Sequence, residues 1–168
     1  MKRQVIFLLI VALVIGASLY GFSGGDVGKF FSRLWQGTVE RRPQLAAVSF
    51  ASVRVRAEVA ATLAARSTGL AGRESLPADA GMLFVFEQPG PHAFWMQGMR
   101  FPLDIIWINN GQVVDVALNV PVPDGVPPLY TPEQFATSVL EVNAGFVAEH
   151  GITIGSPAAI EFDGFSEP

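Results

Sequence analysis

The chain has no cysteine, which excludes disulfides, thiolate zinc sites, a cysteine nucleophile and anchoring through a lipidated cysteine. Histidine is nearly as scarce. Only His92 and His150 occur, too few for a His-rich metal centre, and no spacing motif joins either to a carboxylate. There is no GxSxG elbow, no Gly-rich phosphate loop and no dinucleotide fingerprint, so those catalytic classes fall away and no metal or organic cofactor is expected. No internal repeat is present.

Charge is sparse, at 15% of 168 residues, and it is unevenly placed. Residues 1–42 carry six Lys or Arg against two acids, a net +4, whereas the rest carries five Arg against thirteen acids, a net −8. A body that acidic repels a phosphate backbone, so nucleic acid is not an expected partner. A basic stretch beside a hydrophobic one fits an anionic lipid surface instead.

Half of the residues are hydrophobic, enough for one domain with a real core plus an appendage. The appendage comes first. After Lys2 and Arg3, residues 5–22 run without a charge, close to the lower length for crossing a bilayer as a helix. This segment reads as a signal anchor or a signal peptide, with Gly16, Ala17 and Ser18 as an indifferent cleavage site. Single-pass attachment to the cell membrane is expected, with the globular part outside the cytoplasm, or secretion if the segment is cleaved. Residues 23–44 form an amphipathic linker in which Val27, Phe30, Phe31, Leu34 and Trp35 recur at helical spacing. The linker either lies on the headgroups or packs on the domain.

The remainder, 45–165, reads as one β-rich domain. VSFASVRVRAEVAAT alternates as a strand with one wet face, GMLFVF is a compact apolar strand, and AFWM, LDIIWI and QVVDVALN follow as three more. Asn109, Asn110 and Gly111 join the last two as a hairpin. Pro121 to Pro132 is a loop, and Thr131, Pro132 and Gln134 suit a capped helical turn. TSVLEV is a strand, NAGFVAEHG a short helix ended by Gly151, and PAAIEF a last strand. The expected fold is α+β and β-rich: a strongly bent antiparallel or mixed sheet, or a small barrel, with two short helices, preceded by the N-terminal hydrophobic helix.

GMLFVF, FWM, PLDIIWI and VLEVNAG followed by GITIG, in this order and spacing, resemble the DUF192 family of small uncharacterised domains over about Val53 to Phe162. Matching positions are Gly69, Leu70, Arg73, Gly81 to Phe86, Trp95, Met96, Pro102 to Asp104, Glu141, Asn143 and Gly145. The chain departs at Gly98 and Met99, where the family tends to carry Asn-Thr, at Ala71 for a usual Met, and at Ser156 for a usual Asp. The resemblance implies a β-rich domain, frequently preceded by a signal or membrane segment, and no established activity. The lost Asn-Thr pair implies a more apolar site in this member.

Within PLDIIWI, strand alternation sets Leu103, Ile105 and Trp107 on one face and Asp104, Ile106 and Ile108 on the other. A carboxylate among these residues is costly unless it is paired or hydrogen-bonded. The expected donors are Arg73 first, Arg100 second, or the amides of the Gln97–Arg100 turn. Glu141 either forms an acid pair with Asp104, the equipment of a glycoside hydrolase, or buttresses the turn into NAGFVAEHG. His150 suits a helix C-terminus, and His92, in a Pro-Gly-Pro turn, is expected to be exposed. Trp95, Met96, Met99, Phe101 and Trp107 are either core or partly the lining of a groove for a sugar, peptide or lipid headgroup, with the Pro121–Tyr130 loop as lid.

The leading expectation is a membrane-anchored, extracytoplasmic, non-catalytic module that binds an envelope glycan, peptide or protein, with Arg73, Trp95, Met96, Asp104 and Tyr130 bordering the site. The alternatives are a hydrolase using Asp104 and Glu141, and a purely structural domain marked by an exposed apolar patch.

Overall fold

The computed structural model describes residues 44–51 and 53–163. The hydrophobic helix expected over residues 5–22 and nearly all of the amphipathic linker lie outside them. Among the described residues, no helix is long and apolar enough to cross a membrane.

Seven strands and two short helices follow in the order β1 (Leu45–Phe50), β2 (Val53–Ala60), α1 (Leu63–Thr68), β3 (Ala80–Gly90), β4 (Leu103–Asn109), β5 (Gln112–Val120), β6 (Ala136–Asn143), α2 (Phe146–Glu149) and β7 (Ala159–Phe162). They form one sheet in the spatial order β5-β4-β6-β3-β2-β1-β7. The β2/β3 pair is parallel and is crossed by α1, while the other pairs are antiparallel, so the sheet is mixed. It is not closed. The segment leading into β7 is stitched to the start of β5, with Val113 N–H donating to Ser156 O at 2.9 Å and Ala158 N–H to Gly111 O at 2.8 Å.

Each face of the sheet carries its own apolar cluster. One face, curled inward, gathers Val48, Val55, Leu83, Ile106, Leu140 and Val142 with Phe146 and Val147 of α2. The other gathers Met82, Phe84, Ile105, Trp107 and Val139 beneath Leu70, Phe94, Met96 and Met99 from the long connections. Strand β4 is therefore covered on both sides and buried from Leu103 to Ile108, which is why it reads as an almost unbroken hydrophobic run.

The Asn109–Gly111 hairpin forms as expected. Asn110 and Gly111 both take positive φ, 48° and 73°, the backbone of a type I′ turn that matches strand twist. Helix α1 starts where Thr62 Oγ1 accepts from the Ala65 amide at 3.1 Å, and ends at Gly69. Helix α2 ends at His150 with Gly151 at positive φ behind it.

Three local expectations are corrected. The alternation from Val48 to Ala60 is two strands, because Phe50 pairs with Val53 across a tight turn. AFWM is not a strand: Phe94 makes one bridge with Tyr130, and Pro127, Pro128 and Pro132 flanking Tyr130 lack the N–H groups a longer ladder needs. Thr131–Gln134 is not helical, since the Glu133 amide is taken by Asp115 Oδ2 at 2.7 Å.

Candidate functional site

Asp104 is completely buried, and its role follows from its neighbours. Leu103 pairs with Val120 and Ile105 with Ala117, so β5 carries one extra residue opposite Asp104. Such a bulge frees a backbone amide. That amide, Asn119 N–H, donates to Asp104 Oδ1 at 2.7 Å, and Val147 N–H in the first turn of α2 donates to Oδ2 at 2.9 Å. One carboxylate thus satisfies a bulge and a helix start that otherwise lack partners.

The expected arginine donors are engaged elsewhere. Arg73 forms a two-pronged pair with Glu58 at 2.6 and 2.7 Å. This contact holds the Glu58 carboxyl below its usual range, chiefly by hydrogen bonding and then by charge, against a partial desolvation penalty. Arg100 pairs with Glu74. The expectation that Arg73, Arg100 or the Gln97–Arg100 turn holds Asp104 is thereby corrected.

Glu141 lies one strand away and one step along, with contrasting surroundings. It pairs in register with Met82 on β3 and Ile105 on β4, whereas Asp104 pairs with Val142. Because side chains alternate across a strand, the two carboxylates leave opposite faces of the sheet. The acid pair needed for glycoside cleavage is not assembled. Glu141 does not buttress the turn into α2 either; its carboxyl lies under the connections covering the second cluster. The side chain is 4% exposed, no described residue donates a hydrogen bond to its carboxyl, and burial alone pushes its pKa up to about 8.

Glu141 lines a cleft of about 460 Å³. Phe84 of β3 lies beside it; α1 supplies one wall with Leu63 and Arg66, and the β3–β4 connection supplies the other with His92, Phe94 and Trp95. The connections are pinned together where Gly72 N–H donates to Gly98 O at 2.9 Å. Phe84 and Phe94 pack edge to face at 4.8 Å between centroids. The His92 ring stacks on Phe86 at 3.5 Å and 8°. Arg66 Nη1 donates to Ala61 O at 2.6 Å and Val85 O at 2.9 Å, and its guanidinium sits 5.0 Å above the Phe86 ring. Trp95 is 54% exposed at the mouth.

Of the expected site residues, Trp95 and Glu141 line this cleft. Arg73 faces Glu58, and Met96 is buried in the second cluster. Tyr130 bridges Phe94 from behind the wall, and Asp104 is on the other face. The Pro121–Tyr130 loop contributes no lining residue, and Val126 and Leu129 on it are exposed. His92 is half-buried against Phe86 rather than exposed. Sequence reasoning missed Phe84, Phe86, Arg66 and His92. Strand alternation in GMLFVF does set Phe84 and Phe86 on one face, but nothing local marks α1 and the Pro91–His92 turn as the walls above them.

The DUF192 family, described as Uncharacterized ACR, matches residues 46–160. The chain belongs to this family. A solved structure of a candidate transcription regulator from Sinorhizobium meliloti 1021 is 28% identical, covering 74% of this chain and 96% of that one, with a TM-score of 0.62. A protein of unknown function from Novosphingobium aromaticivorans DSM 12444 is 31% identical, covering 68% of this chain and 83% of that one, with a TM-score of 0.59. No curated protein matches the chain.

The departures from the DUF192 pattern now have places. Met99 and Ala71, two of the expected departures, both line the cleft. Ser156 keeps the acceptor an Asp would bring, its Oγ taking the Thr153 amide at 2.9 Å.

Proposed function

We propose that this DUF192 member is a non-catalytic module that binds a small ligand in the Glu141 cleft and is held outside the cytoplasmic membrane by its N-terminal hydrophobic segment. One observation carries the reading: Glu141, 4% exposed and with no hydrogen bond to its carboxyl from the described residues, lines an aromatic-walled opening. A largely desolvated carboxyl without a partner in the protein is costly, and a ligand that supplies the partner relieves that cost. The cleft volume of about 460 Å³ falls within the range of roughly 300 to 1,000 Å³ typical of small-molecule sites. Asp104 and Glu141 leave opposite faces of the sheet, and the Glu58 carboxylate on the Glu141 face is paired with Arg73, which argues against the hydrolase alternative. The net −8 beyond residue 42 argues against a nucleic-acid role such as the label of the Sinorhizobium meliloti protein suggests.

The test is a thermal-shift screen of the full chain in detergent against small glycans, peptides, amines and carboxylates, followed by titration of each hit. At least one class is expected to raise the melting temperature, with Trp95→Ala weakening the hit while leaving the unliganded melting temperature nearly unchanged. A screen without a hit, or hits indifferent to Trp95→Ala, overturns the cleft as the site. Protease added to intact spheroplasts is expected to remove the domain; protection there overturns the extracytoplasmic placement.

A further inference from the structure

We propose that the ligand this cleft accepts carries an ammonium group, with Glu141 as its counter-ion and the aromatic walls covering the rest of the cation. The inference rests on the reading of the cleft as a binding site and names the chemical class it takes. Glu141 receives no hydrogen bond from the described residues, and once ionised its carboxylate only accepts, so a partner that stabilises the ionised form is a donor. An ammonium brings three N–H groups and a charge, which makes the bond to a carboxylate stronger than a neutral hydroxyl does. The walls suit the same choice: Phe84, Phe86, Phe94 and Trp95 line the opening, and aromatic faces attract cations, more so when desolvated. The cleft already contains one example, the Arg66 guanidinium 5.0 Å above Phe86. That cation makes no hydrogen bond or ion pair with Glu141: its Nη1 donates to the Ala61 and Val85 carbonyls, and burial is the cause of the raised Glu141 pKa. The acidic body of the domain also raises the local concentration of cations.

Binding has a proton signature. The unliganded carboxyl is largely protonated at neutral pH, since burial pushes its pKa to about 8. Pairing with an ammonium favours the carboxylate, so the proton leaves Glu141 for solvent as the ion pair forms, and the ammonium keeps its own. The other charged or titratable groups around the cleft are Arg66 from α1 and His92 from the β3–β4 connection; the Glu58–Arg73 pair shares the sheet face, with Met82 of β3 between Glu58 and Glu141.

The experiment titrates the full chain in detergent by calorimetry with three probes of similar shape, phenethylammonium, phenethyl alcohol and phenylpropionate, in two buffers of different ionisation enthalpy at pH 6.5. The ammonium is expected to bind most tightly and to release protons to the buffer. Glu141→Gln is expected to weaken the ammonium by about tenfold or more, to abolish proton release, and to leave the alcohol nearly unaffected. If the alcohol or the carboxylate binds as tightly as the ammonium, or if Glu141→Gln leaves the ammonium unchanged, the ammonium class is wrong while the cleft stands. Failure of all three probes overturns the ammonium class, and the absence of hits in the wider screen overturns the cleft itself.

Discussion

Asp104 and Glu141 stand on neighbouring strands one register step apart, yet they leave opposite faces of the sheet: Asp104 pairs with Val142, and Ile105 with Glu141. Both are buried. Asp104 accepts two backbone amides at 2.7 and 2.9 Å, and Glu141 accepts none from the described residues. One carboxylate is a structural joint between a bulge and a helix start, and the other has no hydrogen-bond partner among the described residues.

Asp104→Asn is expected to destabilise the domain. An amide has one acceptor oxygen, so either the Asn119 or the Val147 amide loses its partner and faces an N–H₂ group. With charge-assisted bonds lost in a buried site, the cost is about 2–4 kcal/mol, read as a drop in the denaturant midpoint with unchanged slope. An unchanged midpoint contradicts the joint.

Glu141 gives stability a pH dependence of definite sign. Its folded pKa of about 8 lies above the ordinary glutamate value of 4.5, so between these values the native state holds a proton that the unfolded chain has lost. Stability from this group is fully present below the lower value, declines as pH rises, and is lost on passing the upper one, at about 1.4 kcal/mol per pH unit at most. Glu141→Gln removes the decline and makes the unliganded protein more stable at pH 8 than the native sequence. Denaturation at a series of pH values checks this; parallel profiles for the two proteins contradict it.

Gly81→Ala tests the packing between β3 and β6. A Cβ at Gly81 sits 2.8 Å from the Glu141 carbonyl oxygen and 3.0 Å from a Val55 methyl, so backbone has to move. The expected loss is about 1–3 kcal/mol, seen as a lower melting temperature. A melting temperature equal to that of the native chain contradicts the close approach.

The family pattern, the hairpin at Asn110–Gly111 and the anomaly of Asp104 were legible in the sequence, because each rests on residues adjacent in the chain or on a period of two; the burial of β4 on both faces came with the structure. The donors to Asp104 were not legible: Asn119 and Val147 lie 15 and 43 residues onward, brought in by a bulge that leaves no local mark and by a helix that is legible in NAGFVAEHG but whose docking on Asp104 is not. Glu141 was legible only as an acid in an apolar run, since TSVLEV is hydrophobic on both faces and hides which side is open. Its isolation was decided by tertiary structure alone. The insertion of β3 between β2, parallel to it, and β6, antiparallel to it, and the draping of α1 and the β3–β4 connection over that face, are long-range choices that no window of sequence encodes, because they depend on which apolar faces bury one another.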